Sequence, residues 1–70
     1  MMITEIGLVA GEIWQYLDKY REVNLTRLLE ALKKDRDLVL MSLGWLGREG
    51  HILLQQQGQD IKITLRRPEG

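Results

Sequence analysis

Cysteine is absent from this 70-residue chain, and histidine and proline occur once each. Without cysteine there is no disulfide framework and no thiolate chemistry, and His51 alone cannot build a zinc site. A fold stapled by metal or disulfide is therefore excluded, and no cofactor is expected. An excess of charge of one sign is also missing. Ten acidic residues offset ten basic ones, whereas a module held on DNA chiefly by phosphate contacts shows a basic excess on at least one face. Neutrality counts against nucleic acid as the main partner. No apolar run approaches the roughly 20 residues that a membrane span needs. The start, Met-Met-Ile-Thr-Glu-Ile-Gly, has no positive charge ahead of an apolar stretch. The expectation is a soluble, cytoplasmic domain without membrane contact, near the lower size at which one core is stable unaided. A partner would add to its stability.

The chain has a helical stripe in its first part: Ile6, Ala10, Ile13, Leu17 and Tyr20 recur at spacings of three and four, with Val9 and Tyr16 beside them. Gly7 and Gly11 lie one turn apart on a flank next to Trp14. They leave the backbone bare for another element, so they are expected to form a packing notch, at about 1 kcal/mol per glycine in helix propensity. The segment 21–23 is long enough only for a minimal strand. Asn24 is suited to cap a second helix running to Leu32, with Leu25, Leu28, Leu29 and Leu32 as its buried side. Lys33 and Lys34 suit its negative end, Asp35 caps a third helix, and Asp37 falls in that helix's positive first turn. Two helices joined by so short a turn form a helix-turn-helix. Gly50 is placed to end the third helix in the left-handed conformation. Beyond it, Ile52 and Leu54 fall on one face of a strand, residues 57–59 supply a turn, and Ile61, Ile63 and Leu65 alternate with polar neighbours, which is a hairpin.

Helix, short strand, helix, turn, helix and hairpin is the order of a winged helix-turn-helix domain of the α+β class. The expected domain covers residues 1–66, with a flexible tail at 67–70 that contains Pro68. The run Ala10-Gly11-Glu12-Ile13-Trp14 with Leu17, and above all Leu43-Gly44-Trp45-Leu46 followed by Arg48-Glu49-Gly50, resembles a family of small prokaryotic winged helix-turn-helix proteins of uncharacterised function. The resemblance implies the fold, a bacterial or archaeal source and a regulatory role, and it brings no catalytic or ligand-binding residue. This chain has Gly47 where such relatives usually carry alanine and His51 where lysine is common, which reduces the positive charge at the start of the wing.

The third helix conflicts with the usual task of a recognition helix. Val39, Leu43 and Leu46 fall on one side as core. Leu38, Met41 and Trp45 form a second apolar stripe, and Leu40 and Gly47 extend it around the other flank. Base readout calls for Arg, Lys, Asn or Gln at mid-helix, but the middle of this helix offers mainly Ser42. Two readings of the second stripe stay open. Trp45 folds back against the hairpin or into the Gly7 and Gly11 notch, or Leu38, Met41, Trp45 and Leu40 meet another protein, most simply a second copy. At roughly 1.5 to 3 kcal/mol per buried side chain, a symmetric contact through Leu38, Met41 and Trp45 supplies on the order of 10 to 15 kcal/mol gross, against roughly 4 to 15 for association.

The rival reading is a DNA-binding regulator holding phosphates with Arg36, Arg48, Lys62, Arg66 and Arg67 and reaching a minor groove with Gln55, Gln57 and Gln59. A third is a structural domain without a ligand. His51 has no neighbouring Ser, Cys or carboxylate pair in the sequence to give it a catalytic role. No enzyme and no small-molecule substrate are expected.

Overall fold

The structure, a computed structural model, describes residues 2–66. Three helices, α1 (Met2–Tyr20), α2 (Leu25–Leu32) and α3 (Arg36–Arg48), pack against a sheet of three strands, β1 (Glu22–Asn24), β2 (Ile52–Gln57) and β3 (Asp60–Leu65). The sheet is antiparallel in the order β1-β3-β2. The minimal first strand lies one residue later than expected and pairs Val23 with Ile63. That pairing adds a third strand to the hairpin.

Local chemistry explains most boundaries. The Asn24 side chain accepts from the Arg27 N–H at 2.9 Å, and Asp35 accepts from the Leu38 N–H at 3.2 Å, so each orphan first turn has a partner. At the other end of α3, Gly50 has a φ of 80°. His51 N–H donates to the Leu46 carbonyl and Gly50 N–H to that of Gly47, the paired bonds of a Schellman cap. The hairpin loop puts Gly58, with a φ of 60°, at its first central position, as a two-residue type II′ turn requires. Two helix ends break the glycine rule: Arg21 and Lys33 end α1 and α2 at φ values of 72° and 54°. Their amides donate to the Leu17 and Leu29 carbonyls, which offsets part of the conformational cost.

The core joins Val9, Ala10, Ile13 and Leu17 of α1, Leu25 and Leu28 of α2, Val39, Leu43 and Leu46 of α3, and Val23, Ile52, Ile63 and Leu65 of the sheet. Tyr20, expected on the buried stripe, is exposed instead, at the end of α1, where its ring packs at a tilt against Tyr16 with centroids 4.6 Å apart. Gly7 and Gly11 form no packing notch within the chain. A methyl group added at either would meet no atom, since α2, α3 and the sheet cover a different side of α1.

The wing is tied down at its tip. Asp60, the first residue of β3, accepts from its neighbour Ile61 N–H at 2.8 Å and from Thr26 N–H, in the first turn of α2, at 3.3 Å. The Ile61 backbone N–H foremost, and the Thr26 side chain next, hold its carboxyl below the ordinary value of 3.8. A carboxylate at the start of a helix also complements the helix dipole.

Two outcomes follow from this packing. Leu28→Ala, at a position with no exposed surface, should lower unfolding free energy by about 2–5 kcal/mol in urea titrations. Because Asp60 titrates lower in the folded chain than in the unfolded one, its contribution is present above the ordinary value and lost as pH falls through the lowered one. Asp60→Asn should therefore flatten the decline of stability in acid, read from urea midpoints across that range. An unchanged slope would show that the carboxylate does not couple to folding.

Candidate interface on the third helix

α3 is held by α1 in antiparallel contact. Ser42 meets the Ile6 carbonyl, Leu38 packs beside Val9, and Lys34, just before α3, pairs with Glu12 at 3.8 Å. Rising numbers on α1 thus meet falling numbers on α3. Between the two helices runs an open, mainly apolar groove of about 460 Å³ lined by Leu8, Val9 and Leu38 together with Glu5, Glu12 and Lys34.

One side of α3 is sealed. Val39, Ser42, Leu43 and Leu46 are buried. Ser42 was the polar group expected to be available at mid-helix, and here the structure corrects the sequence reading: its side chain has no exposed surface. Its hydroxyl donates to the Leu38 carbonyl one turn back at 2.8 Å, with the Ile6 carbonyl as a second acceptor at 3.3 Å. A buried hydroxyl so bonded is satisfied and offers nothing to a nucleic acid.

The four residues expected at an interface divide into two pairs. Leu38 and Leu40 are half-buried and pack against the core. Met41 and Trp45 are 39 and 48 % exposed. The Trp45 ring lies beside His51, with centroids 6.4 Å apart, and enters neither the core nor the glycine flank of α1, where Trp14 is itself exposed. Gly44 completes the outward surface between them, and a methyl group there would touch nothing. The outward middle of α3 therefore carries a thioether, an indole and a bare backbone. Apart from the single indole N–H donor, nothing there meets the donor and acceptor pattern of base edges.

Of the cationic residues considered for phosphate contact, Arg36 and Arg48 are exposed at opposite ends of α3, roughly 18 Å apart along its axis. Arg66 is exposed too and lies against Gly50, near the end of α3 that carries Arg48. Lys62 pairs with Glu22 across β1 and β3 at 3.1 Å, so that position offers a phosphate no net charge. Arg67 and the expected tail lie outside the described residues. Gln55, Gln57 and Gln59 are all exposed.

Sequence reasoning missed two features. Asp60 carried no local sign of its contact with Thr26, because that bond spans 34 residues. Leu54 has the core-facing parity, opposite Ile63, yet is 45 % exposed. It sits at the sheet edge with Gly47 beneath it, where an added methyl group would lie 3.5 Å from its Cδ1. The glycine at position 47 was the available signal.

Among the described residues no group of three or more His, Asp or Glu side chains could hold a metal ion, and no helix is long and apolar enough to cross a membrane. No curated protein and no solved structure matches the chain. The family model described as "Winged helix-turn-helix domain (DUF2582)" matches residues 1–65. With three helices, an antiparallel sheet and a helix-turn-helix formed by α2 and α3, this chain belongs to that winged helix-turn-helix family.

Proposed function

We propose that this domain is a non-enzymatic regulatory module of the cytoplasm that works by protein association, with the outward face of α3 meeting a second copy of the chain. The observation that carries this reading is the exposure of Met41 and Trp45 at positions where a reader of bases would present amides or guanidinium groups. Burying the side chains also gives a bound on strength. Each is already about half covered, so completing its burial contributes about 0.7 to 1.5 kcal/mol, and four such side chains around a twofold axis give about 3 to 6. Association costs roughly 4 to 15 kcal/mol. Leu38 adds less than its type suggests, because its own core already covers part of it. Met41 and Trp45 alone therefore sustain only a weak dimer, and a stable one draws on further surface.

Direct DNA contact is the second reading, and the family supports it: winged helix-turn-helix domains are commonly regulatory and DNA-binding. Exposed Arg36, Arg48 and Arg66 are the residues that would hold phosphates, and Gln55, Gln57 and Gln59 those that would approach bases. With only three exposed arginines among the described residues considered for this contact, and no net charge over the chain, the salt-dependent part of such binding is small.

Sedimentation over a wide concentration range should show a monomer–dimer equilibrium that Trp45→Ala shifts towards monomer by roughly tenfold or more in Kd. A strict monomer at the highest concentrations would end the dimer reading. Fluorescence anisotropy with random duplex DNA should show no binding at micromolar protein in about 50 mM salt, and saturable binding there would favour the second reading.

A further inference from the structure

We infer that the second copy is engaged through the free edge of β2, two such strands pairing antiparallel about a twofold axis into one six-stranded sheet. This rests on the reading that a second copy is the partner, and it names the element that sets the register.

Among the described residues, the sheet order leaves β2 with a neighbouring strand on one side only. The phase of its backbone is fixed by one bond, from Arg66 N–H to the His51 carbonyl at 2.9 Å. In an antiparallel ladder, alternate residues turn their N–H and C=O towards the same neighbour. Leu53, Gln55 and Gln57 therefore bond to β3, while Ile52, Leu54 and Gln56 direct theirs away from the sheet. A bond at the far side of β3, from Leu65 N–H to the Arg21 carbonyl, agrees with this phase.

Natural edge strands are protected by lysine or other charges, by proline, by bulges or by being very short. β2 has none of these: it reads Ile-Leu-Leu-Gln-Gln-Gln, and its register with β3 runs unbroken from Ile52↔Leu65 to Gln57↔Asp60. Leu53 and Leu54, on opposite faces, are 51 and 45 % exposed. The other edge, β1, is only three residues long, carries Glu22 and runs directly into α2.

The strand's own copy is the occupant that this edge fits. A twofold axis normal to the sheet places residues of equal parity opposite each other. Centred on Leu54, it sets Leu54 against Leu54, Leu53 against Gln55 and Ile52 against Gln56. No like charges meet anywhere in that register, and a strand without charge gives a charged peptide no electrostatic preference. Leu54 rests on Gly47 of α3, and Gly44 lies one turn earlier with open space around it. The flank of α3 beside the edge is thus smooth enough to admit a second backbone. A strand edge alone falls short of the roughly 1,200 Å² that a stable interface buries in total, so pairing supplies register and apolar side chains near it supply area.

Amide hydrogen exchange on the full chain, read by NMR beside sedimentation, tests the assignment. As the dimer forms, the Leu54 and Gln56 amides should become protected to the level of Gln55, and they should lose that protection on dilution while Gln55 keeps it. Leu54→Lys, which sets two ammonium groups opposite each other, should weaken association at least tenfold, with continued protection of Gln55 showing an intact hairpin. If a dimer forms while Leu54 and Gln56 exchange freely, the edge pairing falls and the dimer reading stands. If sedimentation finds only monomer, both fall.

Discussion

The contact between α1 and α3 determines what this domain can present. α3 must bury Val39, Leu43 and Leu46 to close the core, and α1 can come close enough only because Ser42, a small side chain, occupies the crossing. The described residues leave the remaining perimeter of α3 partly uncovered. The sheet covers one flank at Gly47, α1 covers the Leu38 side, and the sector of Met41, Gly44 and Trp45 is left open. The same economy leaves β2 at the margin of the sheet with its leucines partly bare. One shortage of cover thus accounts for both surfaces.

The hairpin behaves as part of the domain body. β3 lies between the other two strands and sends Ile63 and Leu65 into the core. Its first residue, Asp60, bonds to the start of α2. The tip of the wing is therefore coupled to the first helix of the helix-turn-helix. With Lys62 matched to Glu22 on the next strand, the wing shows a balanced face where a phosphate-holding wing would show a basic one.

Much of this was legible in the residues because helix ends are decided locally. Asn24, Asp35 and Gly50 act on amides and carbonyls within a few positions: the first two start α2 and α3 and the last closes α3, as their chemistry requires. Distant partners were harder to read. Position 42 lies between two apolar stripes by periodicity, and nothing nearby says that the Ile6 carbonyl waits across the crossing. Gly7 and Gly11 leave room for a neighbour, but composition cannot say whether the fold brings one. β1 exists because β3 passes beside it, and its bounds follow from that pairing. Arg21 and Lys33 adopt left-handed conformations that their identity disfavours, since the chain must reverse there to deliver the next element. The outward apolar character of α3 was visible in the sequence, but its division into half-covered Leu38 and Leu40 and open Met41 and Trp45 needed the geometry of the neighbours.

The satisfied hydroxyl at the helix crossing also bears on how this scaffold could be remade. A protein engineer wanting a base-reading helix here would gain nothing from enlarging position 42, because an amide there would have to force two helices apart before reaching solvent. Positions 41 and 44 look outward and hold nothing together inside the single chain, so new specificity could be written there without rebuilding the interior, at the expense of the face offered to a second copy.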